Sequence, residues 1–258
     1  MYTAASMESW SLAGRNVLVV FAHPDDESYG PGATLAGLAQ RGARLTLLTF
    51  TRGEHSTLGA ADVSGPEELG AVRERELQKA AVQLGIAEVR QHRYPDGGLR
   101  DVPPEELAGL IRQALDELRP ALVVTFGRRG ISGHPDHIVA SERAVAATRA
   151  YAEAIGGQPP PVYGWAMPAS LGERLKERLG REYAVTPDHE VVAVPVGSAE
   201  LAAQWQAVQQ HRSQHQPPPW PFQVRLEVQQ GREFLERLLP LGRLEPEPIL
   251  AAWRSNQR

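Results

Sequence analysis

Asn16-Val17-Leu18-Val19-Val20-Phe21 is an apolar run that leads directly into the polar hexapeptide Ala22-His23-Pro24-Asp25-Asp26-Glu27. The run is typical of a buried strand, and the hexapeptide places an imidazole and three carboxylates where that strand ends. Chemistry in open α/β sheets lies just outside the carboxyl ends of the strands. We therefore expect this stretch to decide both the fold and the position of a functional site.

The same arrangement occurs a second time along the chain. The apolar run 122–126 precedes the cluster His134-Pro135-Asp136-His137. Taken alone, each cluster is more typical of a solvated turn or a helix N-terminus than of a catalytic site. Two such clusters behind buried strands in one chain favour a single site assembled from two strand ends.

The segments between these runs alternate between strand and helix patterns. Strands are predicted at residues 16–22, 44–50, 88–94 and 122–126, and helices at residues 32–41, 67–84, 104–118 and 138–154. This β-α-β-α order predicts an α/β fold, a Rossmann-like three-layer sandwich whose mostly parallel sheet is flanked by helices on both faces.

The second half of the chain is less regular. Residues 162–166 and 189–196 are predicted to be strands, residues 199–211 a helix, and the proline-rich residues 216–221 a loop. The sequence contains no internal repeat and no clear domain boundary. We therefore expect one domain over residues 1–258, with a catalytic core at about 15–155 and a smaller C-terminal extension at 156–258.

The composition excludes several classes of function. The chain has 258 residues, a hydrophobic content of 42% and a net charge of −4, which argues against a nucleic-acid-binding protein with a basic surface. It contains no cysteine, so disulfides, zinc–thiolate sites and a cysteine nucleophile are excluded. The N-terminus does not resemble a signal peptide, and the run 17–22 is too short to span a membrane. We therefore expect a cytoplasmic protein without a nucleic-acid or membrane partner.

The two clusters contain the ligand types that a catalytic zinc ion requires. Zinc binds imidazole nitrogen and carboxylate oxygen, and a catalytic zinc has three protein ligands and one open position. His23 and Asp26 can face one point after the first strand, and His137 can join them from the second cluster. The same set also accepts Fe²⁺, Co²⁺ or Mn²⁺.

The remaining polar residues of the clusters are candidates for acid–base chemistry. A general base must lie within hydrogen-bond reach of the water that attacks, and Asp25, next to Asp26, is the natural candidate. His134 is expected to be a cation that stabilises an oxyanion or protonates a leaving amine. Asp136 is expected to hold the His134 imidazole in one orientation.

The motifs Ala-His-Pro-Asp-Asp-Glu and His-Pro-Asp-His resemble those of the PIG-L/LmbE-like zinc-dependent N-deacetylases. This resemblance implies one zinc ion held by His23, Asp26 and His137, with Asp25 as general base and His134 as the residue that stabilises the transition state. It also implies an N-acetylglucosaminyl conjugate as the small-molecule substrate. Relatives of this kind often form trimers or hexamers, so a homo-oligomer is expected.

Further segments resemble the bacillithiol-pathway branch of the family. They are Thr51-Arg52-Gly53-Glu54, Arg73 with Glu76, and His211-Arg212-Ser213-Gln214. This resemblance implies that N-acetylglucosaminyl malate is hydrolysed to glucosaminyl malate and acetate, and that Arg52, Glu54, Arg73 and His211 contact the substrate. Each of these four residues could instead be a solvated charge, part of an ion pair or a structural group.

One position departs from the family pattern. Some relatives carry a tyrosine that can polarise the amide carbonyl two positions before the first His of the second motif, where this chain has Ser132. The carbonyl would then rely on the zinc ion and His134, or on a residue from elsewhere, such as Tyr29. The segment Asp96-Gly97-Gly98 is predicted to be a turn, although it could also line the rim of the site.

Three alternative functions stay open at this point. A bacillithiol- or mycothiol-conjugate amidase, or a deacetylase of another N-acyl amino sugar, would use the same catalytic residues. A non-catalytic metal- or sugar-binding module would bind zinc and release no acetate. A phosphoesterase would more often use two metal ions, and the sequence lacks the further ligands that a second ion needs.

Overall fold

A seven-stranded sheet forms the centre of the computed structural model, which describes residues 11–57, 63–215, 221–240 and 247–254. The strand order is β3-β2-β1-β4-β5-β7-β6. The strands are β1 (Asn16–Phe21), β2 (Arg44–Thr51), β3 (Ile86–Tyr94), β4 (Leu122–Phe126), β5 (Val162–Trp165), β6 (Val191–Pro195) and β7 (Arg232–Leu239). The first five strands of this order are parallel, and β7 runs antiparallel to both of its neighbours. The predicted mostly parallel sheet is therefore confirmed.

The helices lie in two groups. Among the described residues they are α1 (Asp26–Tyr29), α2 (Gly32–Gln40), α3 (Pro66–Leu84), α4 (Pro104–Leu118), α5 (Gly130–Gly133), α6 (Pro135–Ala154), α7 (Ala169–Leu179), α8 (Ser198–Val208), α9 (Pro221–Gln229) and α10 (Pro248–Arg254). Helices α4 and α6 pack together, whereas α8 packs against α2 and α3. Because helices cover the sheet, β1 and β4 are apolar and buried along almost their whole length, as is typical of parallel strands.

Local chemistry explains where the helices begin and end. Helices α3, α4 and α6 each begin with a proline in the first turn. Proline is tolerated there because an N–H group at that position would have no intrahelical acceptor. Helix α6 therefore begins at Pro135, three residues before the predicted start. Helix α3 ends at Gly85, whose φ of 71° is the left-handed conformation that favours glycine, as the sequence predicted.

The C-terminal half adds strands to the same sheet. Strand β5 pairs with β4, and β7 lies between β5 and β6. Strand β7 and helices α7 and α9 were not among the predicted elements. Of the predicted loop 216–221, residues 216–220 lie outside the described residues, and Pro221 begins α9. Within the part of the chain that is described, no helix has the length and apolar character needed to cross a membrane.

The topology fixes where a site can form. From β1 the chain moves outward through β2 and β3, and it then returns to place β4 on the other side of β1. Adjacent strands whose connections lead in opposite directions leave a crevice at their carboxyl ends. Both polar clusters follow these two strands, so the fold brings them to the same crevice.

Candidate active site

The turn after β1 has an unusual backbone. Asp25 adopts φ 106° and ψ −21°, a left-handed conformation that is rare for a residue with a side chain. Its carbonyl accepts hydrogen bonds from the N–H groups of Ser28 and Tyr29, and its own N–H donates to Glu27 Oε2 at 3.0 Å. Because these bonds close a tight turn, the adjacent side chains of Asp25 and Asp26 face different partners.

Three candidate ligand residues converge from the two clusters. His23 Nδ1 lies 3.2 Å from His137 Nε2, His137 Nε2 lies 3.3 Å from Asp26 Oδ1, and His23 Nδ1 lies 3.6 Å from Asp26 Oδ2. Ligands at zinc bond lengths in a tetrahedral site are separated from each other by about 3.4 Å. The predicted set has the chemistry that a divalent metal ion requires, although the two imidazoles approach different oxygens of Asp26. Among the described residues, the triplets whose single ligand atoms all lie within 4.8 Å of one another are His23, His134 and His137, and His23, Asp96 and Asp136. A ring nitrogen of His134 lies within 4.8 Å of those of His23 and His137.

The outer nitrogens of both imidazoles are held by further polar groups. His23 Nε2 lies 3.2 Å from Asp136 Oδ2 and 3.1 Å from Asp96 Oδ1, while His137 Nδ1 lies 3.1 Å from the Gly130 carbonyl. Such contacts fix the tautomer and the ring orientation of metal-binding histidines. They leave His23 Nδ1 and His137 Nε2 as the nitrogens that face the Asp26 carboxylate.

The carboxyl group of Asp26 is suited to be an anionic ligand. Burial alone would raise its pKa, but the adjacent His137 and His23 hold the pKa of this carboxyl below its ordinary value. Its Oδ2 also accepts a hydrogen bond of 2.7 Å from the His23 backbone N–H. The side chain is therefore fixed in position before any ion binds.

The predicted role of Asp136 needs correction. Its carboxylate was expected to orient His134, but it contacts His23 instead and accepts hydrogen bonds from the N–H groups of Gly97 and Leu99 at 2.8 and 3.1 Å. Only the backbone N–H of Asp136 reaches His134, as a donor to Nδ1 at 3.2 Å. The reason is that His134 is the N-cap of α6, whereas the Asp136 side chain is fully buried beneath the cluster.

His134 also differs from the expected cation. Burial lowers its pKa, and the neighbouring His137 and His23 lower it further. Because Nδ1 accepts a hydrogen bond from the Asp136 N–H, the proton of the neutral ring lies on Nε2. His134 is therefore a neutral hydrogen-bond donor at neutral pH.

Asp25 lies beside the three candidate ligand residues, but its carboxylate faces Arg73 and not a histidine. Its Oδ2 lies 3.1 Å from Arg73 Nη2, and the residue lines the cavity. Burial raises the pKa of the Asp25 carboxyl to about 6, and the Arg73 guanidinium opposes this rise. A carboxyl group whose pKa lies near the working pH is suited to accept and return a proton.

Two of the residues expected to bind substrate form structural contacts instead. Arg52 is buried and donates to Glu67 Oε1 at 2.7 Å, in a two-pronged ion pair with that carboxylate. Glu54 accepts a hydrogen bond of 3.0 Å from the Asp96 N–H. Neither is among the described residues that line the cavity, so a substrate contact stays a prediction for both.

The other two expected substrate residues support the turn after β1. Arg73 is buried and donates to the carbonyl of Gly53 at 2.7 Å and to that of Pro24. His211 is fully buried, with Nε2 2.7 Å from Glu27 Oε1. Neither Arg73 nor His211 is among the described residues that line the cavity, and a substrate contact stays a prediction for both.

A cavity of about 270 Å³ opens beside the candidate metal ligands. One part of its wall contains Asp25, Asp26 and His137 together with Ser132, and a second part is aromatic and cationic. The second part consists of Tyr29, Trp165, Tyr183 and Phe222 with Arg181 and Arg225. The volume is close to the lower end of the range for small-molecule sites.

Asp96, which the sequence placed in a turn that could line the rim of the site, lies beside His23, because it follows the carboxyl end of β3 at the same edge of the sheet. Other site residues were not predicted from the sequence. Arg181 and Arg225 come from a loop and from α9, where no motif marks a site. Tyr29, which was considered for the position of the missing tyrosine, does line the cavity, and burial keeps its hydroxyl protonated by raising its pKa.

Comparison with known proteins assigns the family. The model of the family described as PIG-L, GlcNAc-PI de-N-acetylase, matches residues 18–148. A 1D-myo-inositol 2-acetamido-2-deoxy-alpha-D-glucopyranoside deacetylase from Salinispora arenicola is 32% identical, over 87% of this chain and 83% of its own length. A probable N-acetyl-alpha-D-glucosaminyl L-malate deacetylase 2 from Bacillus anthracis is 40% identical, over 50% of this chain and 57% of its own length.

The fold agrees with this assignment. The crystal structure of a conserved protein from Thermus thermophilus is 27% identical and superimposes with a TM-score of 0.60, over 90% of this chain and 98% of its own. The matched segment 18–148 contains both polar clusters and the strands that precede them. This chain therefore belongs to the PIG-L family, and it is an N-deacetylase.

Proposed function

We propose that this N-deacetylase hydrolyses the N-acetyl group of an N-acetylglucosaminyl conjugate and releases acetate. The observation that carries the proposal is the convergence of His23, Asp26 and His137 within 3.2–3.6 Å of one another, beside Asp25 in an open cavity. Zinc is the proposed ion, because two imidazoles and one carboxylate are a frequent zinc set. Fe²⁺, Co²⁺ and Mn²⁺ suit the same ligands.

The residues of the chain divide the work of amide hydrolysis. A divalent ion held by His23, Asp26 and His137 would supply a Lewis acid that acidifies water and polarises the amide carbonyl. Asp25 accepts the proton of the attacking water and then returns it to the leaving amine. The Nε2–H of His134 donates a hydrogen bond to the oxyanion that develops on the carbonyl oxygen. Arg73 holds Asp25 in place.

For the conjugate itself we propose N-acetylglucosaminyl malate, with glucosaminyl malate as the product. The similarity to the Bacillus anthracis relative named for this substrate supports the proposal. A second candidate is the inositol conjugate named for the Salinispora arenicola relative, because that match covers more of both chains. An amidase acting on thiol conjugates would use the same catalytic residues.

Further proposals concern the organisation of the protein. The continuation of one sheet through β5, β7 and β6 supports a single domain rather than a separate C-terminal unit. A cytoplasmic location and a trimer or hexamer are proposed from the family resemblance. Sedimentation equilibrium of the purified chain measures the oligomeric state directly.

Acetate release tests the proposed function. The purified chain is incubated with N-acetylglucosaminyl malate, the inositol conjugate and free N-acetylglucosamine, with and without a chelator and with Zn²⁺ added back. We expect acetate from at least one conjugate, loss of activity with the chelator and recovery with metal. Metal binding without acetate release from any of these substrates would identify a non-catalytic module.

A further inference from the structure

Two arginines stand on the part of the cavity wall that the two polar clusters do not form. Arg181 follows helix α7, and Arg225 lies in α9. They are the only arginine or lysine residues among the described residues that line the cavity. The catalytic steps proposed above use neither of them.

Arg225 is a buried cation without a carboxylate partner. Its side chain is 6% exposed, and the guanidinium lies over the rings of Trp165 and Phe222, at 5.2 and 4.8 Å from their centroids. Nη2 donates to the Gly30 carbonyl at 3.2 Å, but Nε has no hydrogen-bond partner. Aromatic faces offset only part of the cost of removing a guanidinium from water.

The other buried arginines among the described residues have carboxylate partners. Arg52 is paired with Glu67 and Arg73 with Asp25, whereas no carboxylate of the described residues forms an ion pair with Arg225. The nearby Glu233 uses its carboxylate to accept hydrogen bonds from the N–H groups at the start of α2. Burial accordingly lowers the pKa of Arg225 to about 10, and Glu233 opposes this fall only in part. Arg225 is therefore a cation that lacks its anion.

Arg181 extends the same positive region towards solvent. It is exposed, and it forms no ion pair or hydrogen bond with any residue in the described part of the chain. The other part of the cavity wall contains the carboxylates of Asp25 and Asp26. The same cavity wall therefore carries two guanidinium groups together with the proposed general base and a candidate metal ligand.

We propose that Arg225 and Arg181 bind a carboxylate on the aglycone of the conjugate, so that the enzyme selects acidic conjugates over neutral ones. Guanidinium groups bind carboxylates through parallel charge-assisted hydrogen bonds. A conjugate held by its aglycone carboxylate at these two guanidinium groups presents its acetamido group to the candidate metal ligands in the same cavity. This inference rests on the proposed deacetylase function, and it favours the malate conjugate over the inositol conjugate.

A pair of isosteric substrates tests the inference. N-acetylglucosaminyl malate is compared with its diamide, in which both carboxylates are replaced by neutral carboxamides of similar size. We expect kcat/KM for the diacid to exceed that for the diamide by at least about tenfold, the loss typical of one charged hydrogen bond. We expect the ratio to fall towards one in Arg181→Gln and in Arg225→Gln, and to be largely retained in Arg225→Lys.

The control variant lies on the neighbouring helix. Arg178→Gln removes an exposed arginine that pairs with Glu227 and does not line the cavity, and it should keep the wild-type ratio. If Arg225→Gln does not fold, Arg181→Gln and the two substrates still decide the outcome. Equal kcat/KM for diacid and diamide in the wild type would overturn the inference.

A binding measurement separates this inference from the proposed function. Calorimetry compares the affinity of glucosaminyl malate for the wild type and for Arg181→Gln, without any turnover. Loss of affinity by about tenfold in the variant supports the carboxylate site even if no acetate is released, in which case only the deacetylase function fails. Unchanged affinity in the variant, together with normal acetate release, overturns the carboxylate site and leaves the deacetylase function intact.

Discussion

The guanidinium of Arg73 lies 3.1 Å from the carboxylate of Asp25, although the two residues come from helix α3 and from the turn after β1. The same guanidinium donates to the carbonyls of Pro24 and Gly53. One buried side chain therefore connects the turn after β1 with the loop after β2. This arrangement makes Arg73 a positioning residue for the proposed general base.

Replacing Arg73 should slow the reaction without removing the metal. Arg73→Gln frees the Asp25 carboxylate and the turn that carries it, and a small misplacement of a catalytic group can lower a rate by about 10²-fold. We expect kcat to fall by about this factor while the metal content, measured by mass spectrometry, stays at the wild-type value. Arg75→Gln, an exposed substitution on the same helix, is the control. A normal kcat in Arg73→Gln would show that the ion pair has no role in turnover.

The pH dependence of the rate should depend on the ion pair between Asp25 and Arg73. Asp25 is active as a base when deprotonated, and burial raises its pKa to about 6, so kcat/KM should rise as the pH increases through that region. Arg73 lowers the pKa of Asp25, so its removal should raise this pKa and move the acidic limb to higher pH. The pH–rate profiles of the wild type and Arg73→Gln measure the shift. An acidic limb that moves to lower pH would contradict the assignment.

The two adjacent aspartates should fail in different ways. Asp25→Ala removes the proposed base and should lower kcat by about 10²–10⁴-fold with metal retained. Asp26→Ala removes one of the three proposed ligands and should lose metal, because its carboxylate faces His23 and His137 at 3.6 and 3.3 Å. Metal analysis of both purified variants, together with acetate release, distinguishes them. Equal metal loss in both would mean that Asp25 is a ligand.

The backbone of Asp25 leads to a prediction about stability. At φ 106° and ψ −21° an alanine carries the same steric strain as aspartate, whereas glycine adopts this conformation freely. Asp25→Ala and Asp25→Gly both lack the carboxylate, so their comparison isolates the backbone. We expect Asp25→Gly to be more stable than Asp25→Ala by about 1–3 kcal/mol in urea unfolding. An equal free energy of unfolding for the two variants would show that the turn is not strained.

The sequence predicted the candidate metal ligands better than the cavity wall that contains Arg225. His23, Asp26 and His137 follow strands whose apolar runs are unambiguous, and the rule that parallel strands end at one edge brings them together. The wall that contains Arg225 could not be predicted in the same way. Arg225 lies in α9, which no motif marks, and the strand β7 that follows carries buried Glu233 and Glu236, which interrupt the apolar pattern of a core strand.

The contacts of the residues predicted to bind substrate could not be predicted for a related reason. Arg52 stands in a motif that resembles a family pattern, but a pattern does not state which partner the side chain meets. In the folded chain its partner is Glu67, fifteen residues later, across a loop whose course the sequence does not fix. Charged side chains in loops are assigned to the wrong partner more readily than residues at strand ends, because loop geometry is not dictated by periodicity.

Asp136 supports a candidate metal ligand from behind. Its carboxylate lies 3.2 Å from His23 Nε2 and accepts hydrogen bonds from the N–H groups of Gly97 and Leu99. Removing such a support typically weakens metal affinity by about 10–100-fold, because the ligand ring is no longer fixed. We therefore expect Asp136→Ala to bind Zn²⁺ about 10–100-fold more weakly in competition with a chromophoric chelator. Asp101→Ala, at an exposed position of the same neighbourhood, should bind as tightly as the wild type. If Asp136 oriented only His134, as the sequence first indicated, its loss would lower kcat and leave the metal affinity unchanged.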